Sequence, residues 1–164
     1  MFFIKGIYNK GFIKKTAKQE KKHRIQMTFE ELYYLSNLLK KLDLNQLHFS
    51  KHALTNNVSS SIHQIRKILL KENLYNLIIE YNKTQTAHSL EHRVLIRDNE
   101  DVLVTYNPNT TNEFKEISNF CFVICLNNSR IITTYYNIST DTHKTLNLNR
   151  YSNNLNILDN IKLD

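Results

Sequence analysis

One apolar stretch of the chain reads Phe120-Cys121-Phe122-Val123-Ile124-Cys125-Leu126. It contains no charged or amide side chain. A nearly continuous run of this length predicts a central strand covered on both faces. The pair Asn127-Asn128 follows as a two-residue turn, because Asn tolerates left-handed backbone. Residues 130–137 then return as the partner strand, so the run predicts one half of a β-hairpin.

Segments on the N-terminal side of this hairpin complete the predicted sheet. Residues 74–81, 93–97 and 102–106 show extended patterns, and residues 107–119 form a polar loop. Before Asn73 the periodicity is helical. The sequence therefore predicts an α+β fold with N-terminal helices packed on a twisted antiparallel β-sheet.

The helical half begins with a clear start signal. Thr28 and Glu31 have the spacing of a capping box, and apolar residues follow at helical intervals to residue 42. A second helical region is predicted around residues 48–54. A third begins at the serines 59–61 and runs to residue 71, since Ser is a good N-cap.

Positive charge is concentrated at one end of the chain. Residues 1–26 contain eight basic residues and one acid, Glu20, whereas residues 27–164 contain fourteen of each sign. We divide the chain into a basic arm (1–26), one α+β domain (27–151) and a polar tail (152–164). The arm predicts contact with a polyanion such as nucleic acid, and a solvated tail without a partner is the alternative. The candidate phosphate ligands of the arm are Lys14, Lys15, Lys21, Lys22 and Arg24.

The cysteines and the N-terminus predict a cytoplasmic protein. Cys121 and Cys125 would face the same side of a strand, too far apart for a relaxed disulfide, so we expect buried free thiols. No apolar run approaches the length of a membrane span, and charge interrupts residues 1–5 too early for a secretory signal. We therefore expect no membrane contact.

Four of the seven histidines form two H-x-x-x-H pairs. These are His48 with His52 and His88 with His92. On a helix such a pair shares one face and can reach one metal ion, but neither pair has the glutamate order of a metalloprotease. We therefore expect no metal and no cofactor.

A polar cluster near the C-terminus contains the residue types that cleave RNA without a metal. A base removes the 2′-hydroxyl proton, a cation stabilises the charged phosphorane, and an acid protonates the leaving oxygen. An ordinary polar loop with one histidine is the alternative interpretation. The cluster comprises Asp141, Thr142, His143, Lys144, Thr145, Arg150 and Tyr151.

The stretch Phe49-Ser50-Lys51-His52-Ala53-Leu54, followed by a helix and then strands, resembles a small bacterial domain family with a Ser-Lys-His-Ala opening and a RelE-like architecture. BrnT-type toxins begin similarly, and the later strands look like proteins of phages and mobile elements. The resemblance covers roughly residues 47–151. It implies a RelE/BrnT-like fold whose sheet face bears a metal-independent ribonuclease site.

The resemblance also suggests roles for particular residues. As a hypothesis, His143 acts as general base or acid, His52 complements it with His48 in reserve, and Thr145 and Tyr151 complete the catalytic set. The phosphate clamp would be Arg150 or Lys144, extended by Arg93 and Arg97, or these last two are simply solvent-facing charges.

Three functions remain open from the sequence. The first is a metal-independent endoribonuclease of a toxin or mobile element, acting on RNA in the cytoplasm of a bacterial host cell, with an antitoxin or a host defence nuclease as partner. The second is a non-enzymatic phage or plasmid anti-defence protein, similar to an anti-CRISPR, that binds a nuclease or its guide RNA. The third is a DNA-binding regulator using helix 59–71, although core packing explains that helix better.

Overall fold

A computed structural model describes residues 18–55, 61–106, 114–141 and 146–162. Four α-helices lie in these ranges: α1 (Phe29–Lys40), α2 (Lys51–Thr55), α3 (Ser61–Leu69) and α4 (Ile157–Asn160). Seven strands accompany them: β1 (Lys18–His23), β2 (His48–Phe49), β3 (Ile78–Gln85), β4 (Leu90–Arg97), β5 (Val102–Tyr106), β6 (Phe114–Cys125) and β7 (Arg130–Ile138). No helix in these ranges is long and apolar enough to cross a membrane.

All seven strands belong to one mixed sheet. The order is β1-β3-β4-β6-β7-β2, and β5 pairs with the first half of β6, while β4 pairs with its second half. Every pairing is antiparallel except that of β2, which runs parallel to β7. The α+β class is confirmed, but the expectation of a purely antiparallel sheet is wrong at β2.

The helices are also not confined to the N-terminal half. Strand β1 precedes α1, and α4 follows the last strand. α1 begins as its sequence predicts, because Thr28 Oγ1 accepts from the Glu31 N–H at 3.1 Å and Glu31 Oε1 accepts from the Thr28 N–H at 3.0 Å. This reciprocal capping satisfies two backbone donors that the helix leaves without partners.

The core lies between one face of the sheet and helices α1, α3 and α4. On the central strands β4 and β6, even-numbered residues face this core and odd-numbered residues face the opposite side, as strand alternation requires. Fully buried contributors are Leu35 and Leu39 of α1, Ile65 and Ile68 of α3, Val94 and Ile96 of β4, and Phe120, Phe122 and Ile124 of β6.

Residues beyond both expected boundaries, at residue 26 and at residue 152, contribute to the described sheet and core. Residues 18–23 form strand β1 and pair with β3 along six residue pairs. Leu155, Ile157 and Ile161 are buried in the main core. The segment after residue 152 is mostly polar, but these three apolar side chains anchor α4 and its flanking residues on the core.

The β6–β7 hairpin differs in detail from its prediction. The left-handed residue is Ser129, with φ of 61°, rather than either asparagine. The Ser129 N–H donates to the Cys125 carbonyl at 3.0 Å, and Asn128 Oδ1 accepts from the Arg130 N–H at 3.0 Å. Cys121 and Cys125 are both free and buried, as expected.

Candidate nucleic-acid interface

Two of the basic residues assigned to phosphate binding are instead used inside the fold. Lys22 is only 6% exposed, and its Nζ donates to Glu31 Oε1 at 2.9 Å and to the Leu155 carbonyl at 2.9 Å. The Arg24 guanidinium donates to the carbonyls of Asn76 at 2.8 Å and Ile78 at 2.6 Å. Because both cations are committed to internal acceptors, their assignment as phosphate ligands is not supported by their contacts.

Glu31 links three separate parts of the chain. It caps α1 through the Thr28 N–H, pairs with Lys22 of β1, and accepts from the Ile157 N–H at 2.9 Å. Burial alone would raise the pKa of this carboxyl, but the N–H donors of Ile157 and Thr28 and the Lys22 ammonium together hold it below the ordinary value. The Glu31 carboxyl therefore stays ionised at neutral pH.

Strand alternation places Lys21 and His23 on the opposite face from Lys22, where Tyr151 lies across them. The Lys21 Nζ is 4.6 Å from the centroid of the Tyr151 ring, a cation–π contact. The His23 ring meets the same ring edge-on, with centroids 5.7 Å apart. Glu80, the register partner of His23 on β3, lies close enough to the Tyr151 hydroxyl to act on its pKa as a hydrogen-bond acceptor. We call Lys21, His23, Glu80 and Tyr151 the Tyr151 cluster.

The electrostatics of the Tyr151 cluster suit binding better than proton abstraction. Burial, and then the hydrogen bond to Glu80, raise the pKa of Tyr151, so its phenol keeps its proton at neutral pH. His23 is 4% exposed, and its Nδ1 accepts from the Ile25 N–H at 3.2 Å. The cationic group that the cluster can present to an anionic ligand is therefore the half-buried Lys21 ammonium.

A groove of about 1060 Å³ adjoins the cluster, between β1, the turn at Arg24–Gln26 and residues 148–160. Tyr151 forms part of its wall. Half of the other lining residues carry side-chain amides, and the carboxylates of Glu20 and Asp159 also line the groove. The amides are those of Gln26, Asn149, Asn153, Asn154, Asn156 and Asn160. Amides both donate and accept, so the groove can hydrogen bond to polar groups of either kind.

The histidines expected to take part in catalysis lie at the other edge of the sheet. His48 is exposed on β2 with its Nδ1 2.9 Å from the Gln46 carbonyl, and His52 is exposed on α2. β1 and β2 are five strand spacings apart, which is about 24 Å in a flat sheet. The structure therefore does not bring either histidine to Tyr151 or to the exposed Arg150.

The remaining predicted site residues lie outside the described part of the chain. They are His143, Lys144, Thr145, Lys14 and Lys15.

Arg93 and Arg97 share one face of β4, as their spacing predicts, but both are occupied. Arg93 Nε and Nη2 donate to Glu91 Oε1 at 2.9 and 2.6 Å. Arg97 donates to Asn119 Oδ1 at 2.9 Å and to the Ile138 carbonyl at 3.0 Å. Arg93 pairs along its own strand, whereas Arg97 joins β4 to β6 and to the end of β7. Both guanidiniums are therefore engaged within the fold, which the alternative of simple solvent-facing charges does not describe, and their role in a phosphate clamp stays a prediction.

Neither H-x-x-x-H pair shares a helix face. His48 and His52 lie on different elements, and His88 is exposed in the β3–β4 hairpin while His92 is buried in β4. The Tyr81 hydroxyl is 2.7 Å from His92 Nδ1. Burial and then the nearby Lys83 ammonium lower the pKa of His92. Within the described ranges, no group of three or more His, Cys, Asp or Glu side chains is arranged to hold a metal ion.

Sequence reasoning named Lys21 and Tyr151 but missed His23 and Glu80. Residues two apart lie on the same face of a β-strand, so the spacing of Lys21 and His23 could have paired them. That inference needs residues 18–23 to be a strand. No comparable signal exists for Glu80, because its position beside His23 depends on which strand pairs with β1.

Comparison with known proteins does not identify a family or a function for this chain. The chain matches no protein-family model, no curated protein and no solved structure. Function is therefore inferred from the charges and contacts of the chain itself, which are most informative at the β1 edge.

Proposed function

We propose that the protein binds RNA through the basic residues that lead into and form the β1 edge. The observation that carries this proposal is the distribution of charge: residues 1–26 account for the whole formal excess of +7, and the remainder is balanced. A positive field confined to one end of a protein raises the local concentration of polyanions there and steers their association.

Two of the eight basic residues of this segment make contacts in the described part of the chain that withdraw them from phosphate binding. Lys22 and Arg24 are committed to the fold, as described above. The phosphate ligands we propose are the six lysines at positions 5, 10, 14, 15, 18 and 21. Six phosphate contacts to a single strand would give a slope of log affinity against log salt of about −4.

Anisotropy of a labelled single-stranded RNA, titrated at several salt concentrations, tests the proposal. Removing residues 1–17 leaves β1 in place and deletes four of the six lysines, so the slope should flatten by about 3. Lys21→Ala should flatten it by about 0.7 because one contact is lost. Lys67→Ala removes an exposed lysine of α3 and serves as the matched control. A slope unaffected by the deletion would contradict the proposal.

RNA cleavage is a second candidate, favoured by the composition of the Tyr151 cluster. An imidazole, a carboxylate, a phenol and an ammonium meet there beside a groove. Here the protonated Tyr151 would act as the acid and Lys21 would stabilise the charged phosphorane. His143 remains the proposed partner acid or base, on the ground of its residue type alone.

Denaturing gels of labelled RNA, incubated in EDTA with purified protein, separate the two candidates. Cleavage by the wild type that is lost in Tyr151→Phe and in His143→Ala would establish a metal-independent endoribonuclease. Intact RNA that shifts on a native gel would instead support the non-enzymatic alternative, an anti-defence protein that holds a guide RNA or its nuclease.

We propose that the protein belongs to a phage or mobile element and acts in the cytoplasm of a bacterial host cell. This setting is suggested by the resemblance of residues 47–151 to RelE/BrnT-like domains. An antitoxin or a host defence nuclease would be its protein partner. Co-purification of the tagged chain with and without ribonuclease treatment would distinguish a protein partner from one bridged by RNA.

A further inference from the structure

Strand β5 lies at an open edge of the sheet. It pairs with the first half of β6, and no other strand in the described ranges pairs with it. The register of β6 with β7 ends at Ser118 and Ile138, so residues 114–117 of β6 have β5 as their one strand partner within those ranges. We call Val102–Tyr106 and residues 114–118 together the β5–β6 ribbon.

Both faces of the β5–β6 ribbon carry exposed apolar side chains. Leu103 is 61% exposed, and Ile117, directly opposite it on β6, is 52% exposed. Phe114, which strand alternation places on the other face, is 46% exposed. Single exposed apolar side chains are ordinary, but a ribbon that is apolar on both faces is typical of one that another layer or strand covers.

The outer edge of β5 has none of the usual protection against strand pairing. Its sequence, Val102-Leu103-Val104-Thr105-Tyr106, contains no charged residue and no proline. Its register with β6 runs through all five residues without a bulge. An edge strand offers a row of backbone N–H and C=O groups to an approaching strand, and natural proteins usually block such an edge with lysine, proline or a bulge. The edge of β5 is therefore suited to accept another strand.

We propose that two copies of this chain associate through their β5 strands, which pair antiparallel about a two-fold axis at Leu103. Such an interface is self-complementary, and it closes the assembly at two chains. Because Leu103 lies opposite Ile117, the axis creates one apolar row across four strands. The row consists of Ile117 and Leu103 of one copy and the same two residues of its partner. This inference is independent of the proposed RNA binding.

Charge complementarity favours a second copy as the occupant of the edge. Thr105 lies opposite Lys115 of β6. With Leu103 on the axis, Thr105 also lies opposite the partner subunit's Asp101, the residue just before β5. The backbones of Lys115 and that Asp101 are then about 10 Å apart, a separation that the two side chains together span. The axis repeats this pair, so two opposite-charge pairs flank the apolar row and stabilise it.

The two charged groups are available for this pairing. Asp101 and Lys115 are both exposed, and neither forms a salt bridge with a residue that the structure describes. Asp101 Oδ1 accepts from Asn119 Nδ2 at 2.9 Å, which orients the carboxylate. An axis at Val104 instead would place Thr105 opposite the partner subunit's Leu103 and leave Lys115 without an acidic neighbour. The charges therefore select the register as well as the occupant.

Cysteine cross-linking of the full chain tests the pairing and its register. Directly opposed residues of antiparallel strands lie within the Cα separation that a disulfide spans. Leu103→Cys should therefore form a covalent dimer on mild oxidation, seen on a non-reducing gel. Thr105→Cys, exposed on the same face of the strand, is the matched control, because its two copies lie about 14 Å apart. The native Cys121 and Cys125 are buried and should not react.

Sedimentation velocity at micromolar concentrations supplies the second measurement. The wild type should shift from monomer to dimer as its concentration rises. Leu103→Lys places two ammonium groups side by side at the axis, so the dissociation constant should rise at least about 100-fold. Leu54→Lys, at a 66% exposed position on α2 beside the β2 edge, should leave the dimer intact. Circular dichroism should be unchanged in both variants, since both positions are exposed.

Exchange of the paired charges tests the register in solution. Lys115→Glu brings a like charge to the partner subunit's Asp101 at both ends of the row, so the dissociation constant should rise about tenfold. Adding Asp101→Lys to the same chain restores opposite charges and should restore the affinity. A double variant that dimerises no better than Lys115→Glu would contradict the register.

The remaining outcomes also decide the inference. Selective cross-linking at position 103, together with a folded and monomeric Leu103→Lys, supports it. A wild type that stays monomeric through the micromolar range, with no cross-link at position 103, overturns it. A dimer that Leu103→Lys leaves intact, or equal cross-linking at positions 103 and 105, overturns it as well. If Leu103→Lys does not fold, the comparison of the two cysteine variants gives the answer.

Discussion

The two edges of the sheet are built very differently. At one edge β1 pairs with β3 over six residue pairs, and the C-terminal segment binds it from the other side through Ser152, whose N–H donates to the Lys21 carbonyl at 2.7 Å. At the other edge β2 contributes only two residues, paired with β7. Both edges carry basic or imidazole side chains, and the sequence alone does not distinguish the roles of these side chains. At β1 they hold the fold together or contact Tyr151 in the wall of a groove. At the β2 edge the histidines are exposed and distant from that groove.

The difference follows from where each charge lies. Lys22 and Glu31 are buried together with their hydrogen-bond partners, so losing either group leaves the other charged and buried, which is costly. His48 and His52 are exposed to water, which solvates them whether or not the neighbouring strand is intact. Charge in the sequence therefore does not by itself indicate a ligand site.

The largest expected effect comes from breaking the β1 edge at Glu31. Glu31→Ala should lower the free energy of unfolding by about 3–5 kcal/mol, because it leaves the Lys22 ammonium buried without its partner and frees two backbone N–H groups. Urea denaturation followed by circular dichroism measures the change. Glu30→Ala, on the exposed side of the same turn, is the matched control and should cost less than about 1 kcal/mol. If both variants lose the same free energy of unfolding, the buried Glu31 contributes no more to stability than the exposed Glu30 does.

An intermediate effect is expected just inside the same edge, where Tyr81 of β3 is the register partner of Lys22. Tyr81→Phe deletes the hydroxyl that meets His92 Nδ1 and leaves that buried nitrogen without this partner. The free energy of unfolding should fall by about 1–2 kcal/mol. Thermal and urea unfolding of the variant measure it, and an unchanged stability would show that the hydrogen bond contributes nothing net.

A smaller effect is expected at the β2 edge. Ser50 donates from its Oγ to the Ile132 carbonyl at 2.8 Å and accepts from the Ala53 N–H at 3.1 Å at the start of α2. Ser50→Ala should cost about 1 kcal/mol, the usual value of one helix cap. The same urea assay applies. A loss as large as that of Glu31→Ala would mean that the two edges contribute equally to stability.

The pH dependence of stability should reflect His92. Because burial and Lys83 lower the pKa of His92 in the folded protein, the unfolded chain takes up a proton at higher pH than the folded chain does. Stability is therefore full above the ordinary His pKa of about 6.5 and falls as the pH drops below it. Unfolding measured between pH 7.5 and 5.5 should show this decline in the wild type and in His88→Gln, whose side chain is exposed. An NMR titration of His92 with a midpoint above 6.5 would contradict it.

Much of the regular structure could be predicted from local signals. The capping box of Thr28 and Glu31 gives the start of α1, and the predicted strand 102–106 coincides with β5. The predicted strand 130–137 differs from β7 by one residue. These elements depend on side-chain periodicity and caps, which act between residues a few positions apart.

The candidate site was much less predictable. Lys21 and Tyr151 meet although 130 positions separate them in the chain, and the contact depends on β1 joining the sheet. The sequence places residues 18–26 in the basic arm because residues 1–26 hold the excess positive charge, whereas in the structure residues 18–23 pair with β3 as strand β1. The Lys-His motif of the resemblance places His52 with the C-terminal cluster, but His52 lies on α2, which follows β2 at the opposite edge of the sheet.

The sequence by itself determined the α+β class, the capped helix α1, the apolar central strand β6 with its buried free cysteines, and the concentration of positive charge before residue 27. Only the tertiary structure decided which of those charges are internal. The Glu31 carboxylate accepts one hydrogen bond within its own helix turn, from the Thr28 N–H, but its other partners are Lys22 of β1 and Ile157, which lies 126 positions away. Partners so distant in the chain are chosen by the packing of whole elements, because no local interaction can specify them.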